Sequence, residues 1–222
     1  MTTRVISVAN SKGGVGKSTV TMLLASAMAK QLKKKVLILD TDSQESVVSW
    51  LESERSFYDG ESIIHAYSVQ PKHVQMHLEK FGADYDIIFI DIPRMTNAMN
   101  ETANVQLLYF CDSILIPILG TRLDVMSTGN FFQIVKEAEE TKKKLDFEYK
   151  IFGFINKENN RKDNLTAKEV LENEGIPMMD NSLRDLKLFT APSCFESILD
   201  SKEGKKRFEP FFQEVIKKLK IK

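Results

Sequence analysis

The chain has 222 residues, of which 42% are hydrophobic and 28% charged, as in ordinary soluble globular proteins. Lys and Arg together number 31, and so do Asp and Glu. This balance excludes nucleic-acid binding driven by overall charge and leaves only a local basic patch for such a role. The length suffices for one α/β domain and no linker divides it, so we expect a single domain over residues 1–222.

The two cysteines, Cys111 and Cys194, exclude a disulfide framework and a CxxC metal site. No apolar run approaches the length of a membrane span, and the first strand begins too early to leave room for a signal peptide. We therefore expect a cytoplasmic protein.

Strand-like and helix-like segments alternate along the chain. The predicted strands are Val5–Ala9, Val36–Asp40, Ile63–Val69, Ile87–Asp91, Ser113–Ile118 and Ile151–Ile155. The predicted helices are Val20–Ala29, Glu45–Glu54, Lys72–Phe81, Val125–Lys143, Asn164–Glu174 and Lys205–Leu219. Most of the strands are continuously apolar and helices separate them, so we predict an α/β fold with a mostly parallel, twisted sheet covered by helices on both faces.

A glycine-rich run follows the first strand and precedes the first helix: Ser11-Lys12-Gly13-Gly14-Val15-Gly16-Lys17-Ser18-Thr19. Glycines let a loop turn its backbone N–H groups around phosphate oxygens, and the positive end of the next helix adds to that field. In such a phosphate-binding loop, Lys17 reaches the β- and γ-phosphates and the Ser18 hydroxyl binds Mg²⁺. Two features are unusual, because Ser11 replaces the usual first glycine and Lys12 is a second lysine.

The segment Lys12–Thr19 resembles the deviant Walker A motif of the ParA/MinD ATPases, Lys-Gly-Gly-X-Gly-Lys-Ser/Thr-Thr, at every fixed position. The resemblance implies a P-loop NTPase of that class that binds ATP or ADP. It also implies that Lys12 reaches across a dimer interface to the partner's nucleotide. The nucleotide would be held by Gly13, Gly14, Val15, Gly16, Lys17, Ser18 and Thr19.

Two further strands end in aspartates that belong beside this loop, because parallel strands place their carboxyl ends at one edge of the sheet. Asp91 ends an apolar strand as a Walker B aspartate does, and we expect it to hold Mg²⁺ together with Ser18. The other strand leads into Asp40-Thr41-Asp42-Ser43-Gln44, where ParA-like proteins have Asp-X-Asp-Pro-Gln. The resemblance assigns Asp42 to orienting the attacking water and Asp40 to the metal shell. The alternative is that Asp42 or Ser43 caps the following helix, and both roles can coexist.

Two other positions are less specific. Arg94, after Asp91-Ile92-Pro93, departs from the family's switch II pattern, and we expect it to contact a partner subunit or to be solvated. Asn156 ends a late strand, where relatives often place an asparagine that meets adenine, but it also suits an ordinary turn. The chain lacks the Asn-Lys-X-Asp guanine motif, so adenine is favoured.

The carboxyl-terminal segment, residues 202–222, carries eight basic and three acidic residues, and its apolar residues recur at helical spacing. We expect the apolar stripe to pack on the sheet and the basic face to be able to contact DNA. A membrane anchor is the alternative interpretation.

The resemblance to the small ParA type implies an ATPase that forms a homodimer with ATP and binds nonspecific DNA in that state. A ParB-like partner would stimulate slow hydrolysis, so that plasmid, chromosome or other cargo is segregated and the protein associates with the nucleoid when it holds ATP. The alternatives are a MinD-like positioning ATPase on a membrane and a metabolic ATP-dependent P-loop enzyme.

Overall fold

Parallel strands form the centre of the molecule. The computed structural model describes residues 3–94, 101–158 and 163–221. The strands are β1 (Arg4–Val8), β2 (Val36–Asp40), β3 (His65–Ser68), β4 (Ile87–Asp91), β5 (Ser113–Ile118) and β6 (Lys150–Ile155). Their spatial order is β3-β2-β4-β1-β5-β6, and each of these neighbouring pairs is parallel. The predicted α/β fold with a parallel sheet is therefore confirmed.

Helices connect successive strands, and further helices follow the last strand. The connecting helices are α1 (Lys17–Gln31), α2 (Ser46–Glu54), α3 (Val74–Phe81), α4 (Glu101–Phe110) and α5 (Arg122–Lys144), and those after β6 are α6 (Asp163–Asn173) and α7 (Lys202–Leu219). Short 3₁₀ turns occupy Pro71–His73, Lys187–Phe189 and Ile198–Asp200.

Two hydrophobic layers cover the sheet. One layer packs α1, α2 and α7 against strand residues such as Ile38 and Phe89. The other packs α3 to α6 against the opposite face, at residues such as Leu39 and Ile90. Successive side chains of a strand point to opposite faces, so β2 and β4 are buried along their whole length.

The helix α4 has no counterpart in the sequence prediction. Its buried apolar side chains, Leu107 and Leu108, are adjacent near its end, so the segment shows no helical period to read. Packing against α5 completes the helix. The strand β3 is shorter than the predicted Ile63–Val69, because it lies at the sheet edge and pairs with β2 alone.

The helix α7 packs on the sheet through its apolar stripe, which confirms that expectation. Its buried apolar side chains are Phe208, Phe211, Phe212, Val215 and Leu219. Burying each of these contributes about 1.5–3 kcal/mol, so releasing the helix to a membrane would forfeit several times that amount. Within the described residues, no helix is both long and apolar enough to cross a bilayer.

The central strand β1 marks the point where the chain order of the sheet changes direction. It pairs with β4 on one side and with β5 on the other. In open α/β sheets, a crevice forms at the carboxyl end of such a strand, and ligands bind there. The glycine-rich loop follows β1 at this point, and Asp40 and Asp91 are register partners on neighbouring strands.

Candidate active site

The glycine-rich loop has a backbone that only glycine adopts easily. Gly14 and Gly16 have φ angles of 76° and 91°, in the left-handed region. Gly16 is also the residue that precedes α1, so the helix begins directly at Lys17. The amino terminus of α1, which carries no acidic residue in its first turn, therefore faces the loop with its unpaired N–H groups.

Lys17 lies at the start of α1 and bends back over the loop. Its ammonium group donates a hydrogen bond of 3.2 Å to the carbonyl oxygen of Lys12. Burial lowers the pKa of Lys17, while the nearby carboxylates of Asp91 and Asp42 raise it and the guanidinium of Arg94 lowers it. A half-buried cation at this point is suited to a phosphate chain, whose negative charge would offset the cost of partial burial.

Asn10 anchors the beginning of the loop, a role that the sequence analysis missed. Its side-chain oxygen accepts the backbone N–H of Lys12 at 3.1 Å. Its amide nitrogen donates to the carbonyl of Pro117 at 2.9 Å and to the hydroxyl of Thr128 at 3.2 Å. Asn10 is 2% exposed, and it thereby ties the loop to β5 and α5. No motif signals this role, because the partners lie more than a hundred residues away in sequence.

Asn156 and Lys157 support the other end of the loop. The Asn156 amide donates to the carbonyl of Val15 at 2.7 Å, and the Lys157 ammonium donates to that of Gly14 at 3.1 Å. The fit is close, since a β-carbon at Gly16 would lie 2.4 Å from the Asn156 amide nitrogen. The donor of Asn156 is therefore engaged by the loop, and its contact with adenine stays a prediction.

Lys12 is held within its own chain. Its ammonium group forms an ion pair with the carboxylate of Asp124, near the start of α5. The Thr121 hydroxyl donates to the same carboxylate, which is almost fully buried, whereas the Lys12 side chain is 38% exposed. The sequence analysis missed Asp124, although the spacing Thr121-X-X-Asp124 is a typical helix start.

Asp91 is the residue whose surroundings best fit a metal ion. Both of its carboxylate oxygens are buried, and neither has a hydrogen-bond partner among the described residues. Burial raises its pKa to about 7, while the neighbouring Ser18 hydroxyl lowers it without reaching the geometry of a regular hydrogen bond. An unpartnered buried carboxylate beside a P-loop serine is the donor set that Mg²⁺ takes in P-loop NTPases. The residues present therefore fit the ion that the sequence analysis expected.

Asp40 is occupied by backbone groups of its own loop and of α2. Its two carboxylate oxygens accept N–H groups from Asp42 at 3.2 Å, Val47 at 2.8 Å and Val48 at 3.4 Å. Burial raises its pKa, and the hydrogen bonds from Val47, Val48 and Asp42 lower it. The start of α2 is thus bound by Asp40 instead of Asp42 or Ser43, which were the predicted caps. Participation of Asp40 in the metal shell stays a prediction.

Asp42 lies in the loop between β2 and α2, on the wall of the cleft. One of its oxygens accepts the N–H of Gln44 at 3.0 Å. Its charge acts on Lys17, which places the two side chains near one another. A carboxylate in this position can accept a hydrogen bond from a water molecule beside a terminal phosphate.

These groups line one open cleft of about 1080 Å³. The loop, the first turn of α1, Asp42 and Arg94 are part of its lining. Thr190, Pro192 and Lys157 extend the lining beyond the loop. The cleft is large enough for a nucleotide and has cationic groups where its phosphates would lie.

The family is decided by a match over most of the chain. A model of the CobQ/CobB/MinD/ParA nucleotide-binding domain matches residues 6–197. The chain belongs to this family. It is an ATPase of the ParA/MinD type, as the motif Lys12–Thr19 predicted.

Relatives of this ParA/MinD-type ATPase include a protein named for carboxysome distribution and a ParA protein. The maintenance of carboxysome distribution protein A of Halothiobacillus neapolitanus is 26% identical over 180 residues, 81% of this chain and 78% of that protein. Protein ParA of Rhizobium radiobacter is 23% identical over 223 residues, and 97% of each chain is covered. Among solved structures, the ATP complex of Cyanothece McdA superposes with a TM-score of 0.78 at 16% identity, covering 99% of this chain and 97% of that one. At that identity the likeness shows the shared fold.

Proposed function

We propose that this ATPase positions or partitions a cargo as ParA proteins do. ATP would join two copies into a dimer, the dimer would bind nonspecific DNA, and hydrolysis stimulated by a ParB-like partner would release it. The observation that carries this proposal is Lys12, a second lysine in the phosphate-binding loop. Its side chain is 38% exposed, so a second copy can approach it.

The proposed chemistry uses the loop and the two strand ends beside it. The N–H groups of Gly13, Gly14, Val15, Gly16, Ser18 and Thr19 would surround the phosphates. Lys17 would bind the β- and γ-phosphates, and Ser18 and Asp91 would hold Mg²⁺, which neutralises charge on the phosphate oxygens when bound. Asp42 would orient the attacking water toward the γ-phosphate.

Basic residues on α7 support the DNA-binding part of the proposal. Lys202, Lys205, Lys206 and Lys217 are exposed on the helix surface opposite its buried stripe. Because the formal net charge of the chain is zero, attraction to DNA phosphates must come from such a local cluster. The apolar stripe is occupied by the core, so the described part of α7 has no free apolar face for a membrane.

Two kinds of cargo are consistent with the relatives. One relative is named for carboxysome distribution and another is a ParA protein. We infer that the cargo is either a DNA molecule or a large protein assembly that moves over the nucleoid.

A cosedimentation assay tests this proposal. The protein is incubated with nonspecific DNA or with anionic liposomes, in the presence of ATP, ADP or no nucleotide. We expect binding to DNA with ATP only, with an affinity that falls as salt rises. Lys205→Glu with Lys206→Glu should reduce this binding, and Lys143→Glu with Lys144→Glu, on the exposed end of α5, is the matched control.

The alternatives give different results in the same assay. ATP-dependent binding to liposomes without binding to DNA would favour the MinD-like function. Binding to neither surface in any nucleotide state would favour a metabolic ATP-dependent enzyme.

A further inference from the structure

Arg94 lies directly over the phosphate-binding loop. It follows the last residue of β4 by three positions, immediately after Pro93. A β-carbon on Gly13 would lie 3.3 Å from its Cδ and 3.8 Å from its Nη1. Arg94 and Gly13 line the same cleft. Arg94 is exposed, which agrees with the expectation of a solvated residue, and its position over Gly13 adds a contact that a ligand in the cleft can make.

The position of Lys17 shows which end of the nucleotide Arg94 would meet. The ammonium group of Lys17, which binds the β- and γ-phosphates in P-loop proteins, lies 3.2 Å from the carbonyl of Lys12. Gly13 follows Lys12 directly, so Arg94 covers the part of the loop beside the terminal phosphate. The carboxylates of Asp42 and Asp91 also act on Lys17. Arg94 is therefore near the reacting end of the cleft.

Arg94 carries a charge that is uncompensated in the described part of the chain. No carboxylate among residues 3–94, 101–158 and 163–221 forms an ion pair with it. Its charge acts on another cation of the cleft, since it lowers the pKa of Lys17. Two cations facing one open cleft favour a polyanion between them. A guanidinium group matches the oxygens of a phosphate particularly well, because it can donate two parallel hydrogen bonds.

We propose that Arg94 contacts the γ-phosphate of ATP and stabilises the transition state of hydrolysis from within the same chain. In that reaction a bond forms between the water oxygen and Pγ, and the bond between Pγ and the β,γ-bridging oxygen breaks. The electron pair of the broken bond leaves with ADP, and the released proton passes through phosphate to solvent. Arg94 neutralises the charge that spreads over the γ-phosphoryl oxygens during this transfer. The inference rests on the ATPase activity and is independent of DNA, cargo and partner protein.

Binding of a transition-state mimic tests this role. The affinities of Arg94→Ala for ADP and for ADP with aluminium fluoride, both with Mg²⁺, are measured by calorimetry, together with single-turnover hydrolysis of ATP. We expect an unchanged affinity for ADP, which lacks the group that Arg94 contacts. The affinity for the aluminium fluoride complex and the hydrolysis rate should each fall on the order of a thousandfold. Arg94→Lys retains the charge without the planar guanidinium group, so both quantities should lie between those of the parent and those of Arg94→Ala.

Arg55→Ala is the matched control, because Arg55 is an exposed arginine outside the cleft lining. It should leave all three quantities unchanged. Two results would overturn the proposal. One is an Arg94→Ala protein that binds the aluminium fluoride complex as tightly as the parent does. The other is an equal loss of ADP affinity, which would mean that Arg94 only maintains the shape of the loop.

Discussion

The ammonium group of Lys12 and the carboxylate of Asp124 form an ion pair that joins the phosphate-binding loop to the start of α5. Asp124 is 1% exposed, and its carboxylate is also bound by the Thr121 hydroxyl. In the proposed dimer, Lys12 contacts the nucleotide of the other copy. Lys12 must then exchange the carboxylate for a phosphate, so the internal ion pair competes with dimer formation.

Weakening this ion pair should favour the dimer. Asp124→Asn keeps the shape of the side chain and removes its charge, so Lys12 is released at a lower cost. We expect ATP-dependent dimerisation at protein concentrations about three- to tenfold lower than for the parent, as measured by analytical ultracentrifugation. Lys12→Ala should prevent dimerisation in either background while the monomer still binds ATP. An Asp124→Asn protein that requires a higher concentration to dimerise would contradict the competition.

Removing Lys17 should strongly weaken nucleotide binding. Its ammonium group is the half-buried cation of the loop, and a charged hydrogen-bond donor to phosphate contributes strongly. We expect Lys17→Ala to lose on the order of a hundredfold in ATP affinity, measured by calorimetry. Lys30→Ala, near the far end of α1, serves as the control. Full affinity in the Lys17→Ala protein would refute its assignment.

Replacing Asp42 should separate binding from turnover. Its proposed task is to orient water, and the hydrogen bond that its carboxylate accepts from the N–H of Gln44 is local to its own loop. We expect Asp42→Ala to bind ATP normally, to hydrolyse it roughly a hundredfold more slowly and to accumulate as an ATP dimer. Single-turnover hydrolysis and ultracentrifugation measure the two effects. Rapid hydrolysis by this variant would remove Asp42 from the mechanism.

A ligand that has no base can show whether Asn156 supports the phosphate-binding loop or contacts adenine. The Asn156 amide donates a hydrogen bond to the Val15 carbonyl of the loop. Asn156→Asp should therefore lower the affinity for inorganic tripolyphosphate, ATP and GTP by a similar factor of about ten. Asn181→Asp is the matched control, since Asn181 also donates a side-chain hydrogen bond, to Glu214 at 2.7 Å, but lies outside the cleft lining. If the affinity for tripolyphosphate is unchanged and only the affinity for ATP falls, Asn156 contacts adenine instead.

Asp91 should make the nucleotide-free protein less stable as the pH rises. Its pKa is about 7 in the folded chain and 3.8 is its ordinary value, so between these values the folded state holds a proton that the unfolded state has lost. The contribution of the protonated carboxyl to the free energy of unfolding is therefore full below about pH 4 and is lost as the pH approaches 7. Asp91→Asn should remove this dependence.

Denaturant unfolding at several pH values, without Mg²⁺ or nucleotide, measures the effect. The Asp91→Asn protein should be clearly more stable than the parent at pH 8, and the two should converge near pH 4, below the interval of titration. Asp185→Asn, at an exposed position, is the control. An unchanged difference between Asp91→Asn and the parent across this range would contradict the titration of Asp91.

The helices and strands were predictable where apolar residues run continuously or recur at a regular period. The strands β2, β4 and β5 lie where the sequence analysis placed them, because parallel strands that are buried on both faces are apolar throughout. The helix α4 was missed because its buried residues are too few to show a period. The glycine-rich loop was recognisable because its residue types are required at consecutive positions.

The supports of the loop could not be predicted in the same way. Asn10 and Asp124 act through partners far away in sequence, and only the order β4-β1-β5 brings those partners together. For the same reason, the position of Arg94 over the loop was not predictable. Its sequence neighbours give no sign that β4 ends beside β1, which places the arginine over Gly13.

The sequence by itself determined the fold class, the nucleotide-binding loop and the family, since each depends on residue types at short spacing. Only the tertiary structure decided which partners the side chains of the site have in the nucleotide-free protein. It pairs Lys12 with Asp124, binds Asn156 to Val15 and leaves the Asp91 carboxylate without a hydrogen-bond partner in the described part of the chain. The physical reason is that a hydrogen bond or an ion pair depends on distances of a few ångströms, and these distances are set by the packing of strands and helices that are remote in the chain.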